Sequence, residues 1–182
     1  MPIAGLAAGN LPPVNSFCPI FGCMKTATIH ELKQELQAVP PAKVQELCLR
    51  LAKFKKENKE LLTYLLFEAQ DEQGYVNSVK KEMDELFTGV NTSHVFFAKK
   101  TVRKILRIAN KHIRYMGSPQ AETELLLHFC SRLKGTGLIV YKNTVLSNLY
   151  QNQFKKMYKV LETLHEDLQY DYLKEVSKLE EQ

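Results

Sequence analysis

The chain has 182 residues, 45% of them hydrophobic and 25% charged, with a formal net charge of +5. That balance is sufficient to bury a sizeable core and excludes a chain disordered throughout, and no apolar run approaches the eighteen or so residues that span a bilayer. Cys18, Cys23, Cys48 and Cys130 form no CxxC pair and have no histidine at zinc spacing, so neither a metal site nor a disulfide framework is expected. Reduced thiols and a cytoplasmic location are the simpler reading. No cofactor motif stands out.

Residues 1–23 carry no charged side chain and are rich in Gly, Pro and Ala. They read as a flexible extension, with Met24 as the natural start. The rival is a secretory or lipoprotein signal with Ile20-Phe21-Gly22-Cys23 as its lipobox, but it lacks a basic n-region and is interrupted by Pro12, Pro13 and Pro19. From residue 24 to 182 a single all-helical domain is expected.

Ile29, Leu32, Leu36 and Val39 recur at spacings of a short amphipathic helix. Thr28 with Glu31 three residues on matches a capping box, and Pro40-Pro41 ends this helix and opens the next. A long helical pattern then runs to about Ala69. Its polar interruption, Lys55 to Glu60, is a kink, a solvated crossing or a break into two helices. Cys48, among apolar neighbours, reads as a small core residue. After the turn Asp71 to Gly74, Val76, Val79, Met83 and Leu86 give another helix, closed by Thr88-Gly89.

The segment Val95–Met116 is the sharpest chemical feature. On a helical projection Lys99, Lys100, Arg103, Lys104, Arg107, Lys111 and Arg114 fall within an arc of about 140°, opposite Val95, Ala98, Val102, Ile105, Leu106, Ala109, Ile113 and Met116. No Asp or Glu occurs between Glu85 and Glu122, so the rest of the chain holds a slight negative excess and the basicity is local. Neighbouring basic pairs at i,i+4 repel by roughly 0.2–0.5 kcal/mol each, which favours an anion on this face. The candidates are acidic side chains of the same molecule (Glu82, Asp84, Glu85, Glu162, Glu166, Asp167 or Asp171), an acidic protein partner, or nucleic-acid phosphates with Phe96 as a stacking surface. No helix-turn-helix or RNP-like signature is present, so any nucleic-acid binding is expected to have low sequence specificity.

Asn91-Thr92-Ser93 offers caps for the basic helix and Gly117 ends it. Ser118-Pro119 starts the next, with core face Leu126, Phe129, Cys130 and Leu133, before Gly135-Thr136-Gly137. Leu138 to Tyr141 reads as a buried connector or a helix start rather than a strand, and Asn143 caps a long C-terminal helical region with a stripe from Met157 through Leu164 and Leu168 to Leu179. If that stripe extends beyond the bundle, a homodimer follows.

His94, His112, His128 and His165 form no i,i+4 metal pair, and His165 beside Glu166 and Asp167 is the densest polar cluster near the C-terminus. The expected fold is all-α: an irregular bundle or short α-α superhelix of five to seven helices. The expected role is a non-enzymatic binding or scaffolding module whose basic helix engages an acidic partner. The alternatives are oligomerisation through the C-terminal helix, or an enzyme whose site is assembled from separate helices.

Overall fold

The structure, a computed structural model, describes residues 25–139 and 145–181. The extension over residues 1–23, the start at Met24, the lipobox-like residues, Val140, Tyr141 and the Asn143 cap lie outside the described residues. Among those described, eight α-helices and one π-helical turn occur, with no strand. They are α1 (Ile29–Ala38), α2 (Pro41–Phe54), α3 (Lys56–Thr63), the π turn (Tyr64–Glu68), α4 (Glu72–Thr88), α5 (Val95–Met116), α6 (Pro119–Gly135), α7 (Val145–Leu161) and α8 (Glu166–Glu181).

The fold is therefore all-helical, with more helices than the expected five to seven because two continuous patterns are broken. Lys55 adopts an extended conformation between α2 and α3, and the Asn58 side chain donates to the Leu51 carbonyl across the break at 2.9 Å. The C-terminal region splits at residues 162–165, where the Thr163 and Leu164 amides reach back only three residues, to Val160 and Leu161. The first break is one of the three readings that the polar run Lys55 to Glu60 allows, whereas the apolar stripe runs through the second, so periodicity alone does not reveal that one.

The described residues group into two compact units, with the boundary between Glu46 and Leu47. In the first, the capping box forms: the Thr28 amide donates to Glu31 Oε2 at 2.7 Å and the Glu31 amide to Thr28 Oγ1 at 3.3 Å. Helix α1 buries no residue, and Ile29, Leu32 and Leu36 are exposed. Cys48 on α2 is also exposed, contrary to its reading as core, because α2 likewise buries no side chain.

In the second unit α6 is central, touching α4, α5, α7 and α8. It buries Leu125, Leu126 and Leu127 in succession, together with Phe129, Cys130 and Leu133. A helix apolar on most sides belongs in the middle of a bundle. Helix α4 adds Val76, Val79, Met83 and Phe87, and α7 adds Leu146, Phe154 and Met157. On α8 the expected stripe turns inward: Val176 is fully buried, and Tyr172 and Leu179 pack on the same core. No helix among the described residues is long and apolar enough to cross a membrane.

The basic helix α5 spans the predicted residues, and its core face carries Ala98, Val102, Ile105, Ala109 and Ile113. Its start differs. The Asn91 side chain accepts from the Ser93 amide in a local turn, which leaves His94 as an N-cap without a side-chain bond. At the other end Gly117 has φ 63° and donates to the Ile113 carbonyl at 2.9 Å. Only glycine adopts that left-handed geometry without a Cβ penalty. Gly117→Ala is expected to cost about 1 kcal/mol, read as a lower urea midpoint. Gly89→Ala, at φ −84°, should not share that penalty.

Candidate functional site

Helix α5 is fixed by its apolar stripe against α4 and α6, so its basic arc faces outward. Lys100, Arg103, Lys104, Arg107 and Arg114 are exposed, and Lys99 and Lys111 are half-buried. Of these seven, Lys111 alone has an ion pair among the described residues, donating to Glu60 Oε2 at 2.9 Å. Glu60 was not among the acidic residues expected to cover the face, since it lies 51 positions away with no local signal of contact. The expected acidic neighbours are used elsewhere or stay clear of α5's lysines and arginines. Asp84 holds His128 at 2.7 Å and Arg132 at 2.9 Å, and Glu82 lies 3.6 Å from His112.

The seven basic residues are not equivalent in position. Arg103, Arg107 and Arg114 line a groove of about 500 Å³ between α5, α6 and α7, with Leu106 and Ile113 as apolar wall. Lys156 on α7 forms part of its surface, donating to Glu122 at 2.7 Å and to Asn110 Oδ1 at 3.0 Å. The Asn110 amide nitrogen donates in turn to the Leu106 carbonyl at 2.9 Å. Lys99, Lys100, Lys104 and Lys111 do not line this groove. Asn110, Glu122 and Lys156 carry no local sequence signal of this site, because they come from three helices and only tertiary packing unites them.

At the N-terminal turn of α5, Phe96 is 76% and Phe97 57% exposed, beside Lys99 and Lys100. Their rings meet edge to face at 5.7 Å. Exposed aromatics next to cations offer flat surfaces for stacking.

A second cluster lies on the side of α5 toward α3, the π turn and α4. Glu60 accepts from Lys111 and, at 3.0 Å, from the Tyr115 hydroxyl. The Lys111 hydrogen bond holds the Glu60 carboxyl below the usual carboxylate range. Tyr75 OH lies 2.7 Å from His112 Nδ1, and the Tyr64 ring packs against Tyr75 at a 50° tilt, 4.7 Å between ring centres. Burial pushes the Tyr75 and Tyr115 hydroxyls up to about 12, so both stay protonated at neutral pH. His112 is 14% exposed, and its Nε2 is sealed from solvent without a hydrogen-bond partner. Burial, followed by the charge of Lys111, depresses its pKa. An imidazole whose free nitrogen meets no solvent presents nothing to a substrate in this conformation, so the cluster reads as an internal brace.

The remaining candidates are dispersed. His165 is exposed at the start of α8, 3.5 Å from the exposed Asp167. Cys130 is fully buried, and burial raises its thiol to about 12, which makes it inert as a nucleophile. No group of three or more His, Cys, Asp or Glu positioned for a metal ion occurs among the described residues. Comparison with known protein families, with characterised proteins and with solved structures returns no match for this chain.

Proposed function

We propose that the protein is a non-enzymatic binding module whose helix α5 engages nucleic-acid phosphates with low sequence specificity. The observation that carries this reading is that Lys99, Lys100, Arg103, Lys104, Arg107 and Arg114 have no ion pair among the described residues. Cations at one-turn intervals repel one another until an anion neutralises them, and a phosphate backbone supplies anions in a row. Phe96 and Phe97 favour a strand whose bases are free to stack, as in single-stranded nucleic acid.

Fluorescence anisotropy with a labelled single-stranded oligonucleotide tests the reading. Neutralising four to six phosphates should give a slope of log K against log salt of roughly −3 to −4 on a single strand. Scrambling the base sequence should change affinity little. Absence of binding at low salt ends the nucleic-acid reading and leaves an acidic protein surface as the partner to seek.

A further inference from the structure

We propose that the groove between α5, α6 and α7 is a discrete site for a phosphate monoester, held by Arg103, Arg107 and Arg114 beside Lys156. The inference rests on the anion-binding reading of α5 and adds a ligand class and a place. It begins with how the cations are sorted. Helix α5 carries four lysines and three arginines, and the groove takes all three arginines and none of the lysines. Positions 103, 107 and 114 lie within about 40° of one another on a helical projection.

A diffuse electrostatic surface would not distinguish the two residue types, because any cation attracts a polyanion. A guanidinium differs in presenting a planar fork that meets two oxygens of one phosphate together. The groove's carboxylate, Glu122, is already engaged by Lys156 at 2.7 Å. The three guanidiniums are thus left without a carboxylate within ion-pairing distance among the described residues. Lys156 is held from two sides, by Glu122 and by Asn110, and Asn110 is tied to its own helix through the Leu106 carbonyl. A cation pinned in this way adds charge at a fixed point with little loss of side-chain entropy on binding.

Charge then selects among phosphates. Four cations against one carboxylate leave the groove strongly positive. A monoester carries about −1.5 to −2 at neutral pH and offers three oxygens, whereas an internal phosphodiester carries a single charge. The monoester could be a free small molecule or the 5′ end of a nucleic-acid strand, and the chemistry of recognition is common to both.

The test uses the full chain. Inorganic phosphate, adenosine 5′-monophosphate and adenosine are titrated by calorimetry, and two short single strands differing only in a 5′-phosphate are compared by anisotropy. Saturable binding of both phosphates but not of adenosine is expected. The 5′-phosphorylated strand should bind about tenfold more tightly than its 5′-hydroxyl counterpart, a difference of about 1.4 kcal/mol. The triple variant R103K/R107K/R114K, which keeps every charge and loses the forks, should abolish both effects. K99A/K100A/K104A should weaken both strands while preserving their ratio. Circular dichroism checks folding, and Arg107→Lys alone replaces the triple variant if that fails to fold. Phosphate binding unchanged by loss of the arginine forks, or no binding of either phosphate, overturns the inference. Equal binding of the two strands, unaffected by the arginine variant, leaves the nucleic-acid reading standing without this site. Saturable phosphates with neither strand bound leaves the site standing and removes the nucleic-acid reading.

Discussion

Replacing Phe129 by Ala should destabilise the helical unit by about 3–5 kcal/mol. The ring is fully buried on α6, the helix that touches α4, α5, α7 and α8, and it packs against Phe87 at 5.7 Å between ring centres. Truncation removes the transfer free energy of the ring and leaves a cavity that a close-packed core closes only in part. Thermal denaturation should show Tm falling by roughly 10 °C. Leu66→Ala, in the exposed stretch of the π turn, should change stability by less than about 0.5 kcal/mol. A loss below about 1.5 kcal/mol for Phe129→Ala would mean that the neighbouring side chains collapse into the space, and would count against α6 as the centre of the core.

The contrast between those two positions marks what local sequence can disclose. Phe129 lies on a stripe with Leu126, Cys130 and Leu133, bracketed by a Ser-Pro start and a glycine-rich stop, and all four residues are buried as that pattern requires. Helix α5 is legible for the same reason: its apolar spacing sets the core face from Ala98 to Ile113 and Gly117 its end, although Val95, at the start of the same stripe, is exposed. Leu65, Leu66 and Phe67, in the π turn that begins at Tyr64, look equally apolar yet are exposed. A stripe records that a helix has an apolar face; it does not record whether another element covers it.

The candidate site divides along the same line. The seven cations of α5 are contiguous in sequence, so their common face could be read from helical phase alone. What separates them is tertiary. Glu60, from α3, claims Lys111, while α7 brings Lys156 to the arginines. Such pairings join residues 46 to 51 positions apart and have no periodic signature.

The stability of the helical unit should fall as pH drops below about 6.5, and His112 should be a principal cause. Burial depresses its folded-state pKa below the ordinary value of 6.5, and the neighbouring Lys111 charge acts in the same direction, while Glu82 and Glu60 oppose it. The groups around the ring are Tyr75 and Glu82 from α4, Glu60 from α3, and Lys111 and Tyr115 from its own helix. In the unfolded chain the imidazole takes up a proton near pH 6.5; in the folded chain it resists until lower pH. Between those two points the unfolded state holds one more proton, so stability is full above 6.5 and declines by up to about 1.4 kcal/mol per pH unit, levelling off below the folded pKa. Protonation also makes both ring nitrogens donors, which forces the Tyr75 hydroxyl to accept at Nδ1 and leaves Nε2 3.6 Å from Glu82, beyond good hydrogen-bond length. His112→Asn keeps a polar atom near the Nδ1 position and removes the titration. Urea midpoints measured from pH 7.5 down to pH 5 should therefore fall more steeply for the parent chain than for this variant. Parallel curves would show that His112 keeps an ordinary proton affinity, and with it that the Tyr75–His112 contact is more open to water than its burial implies.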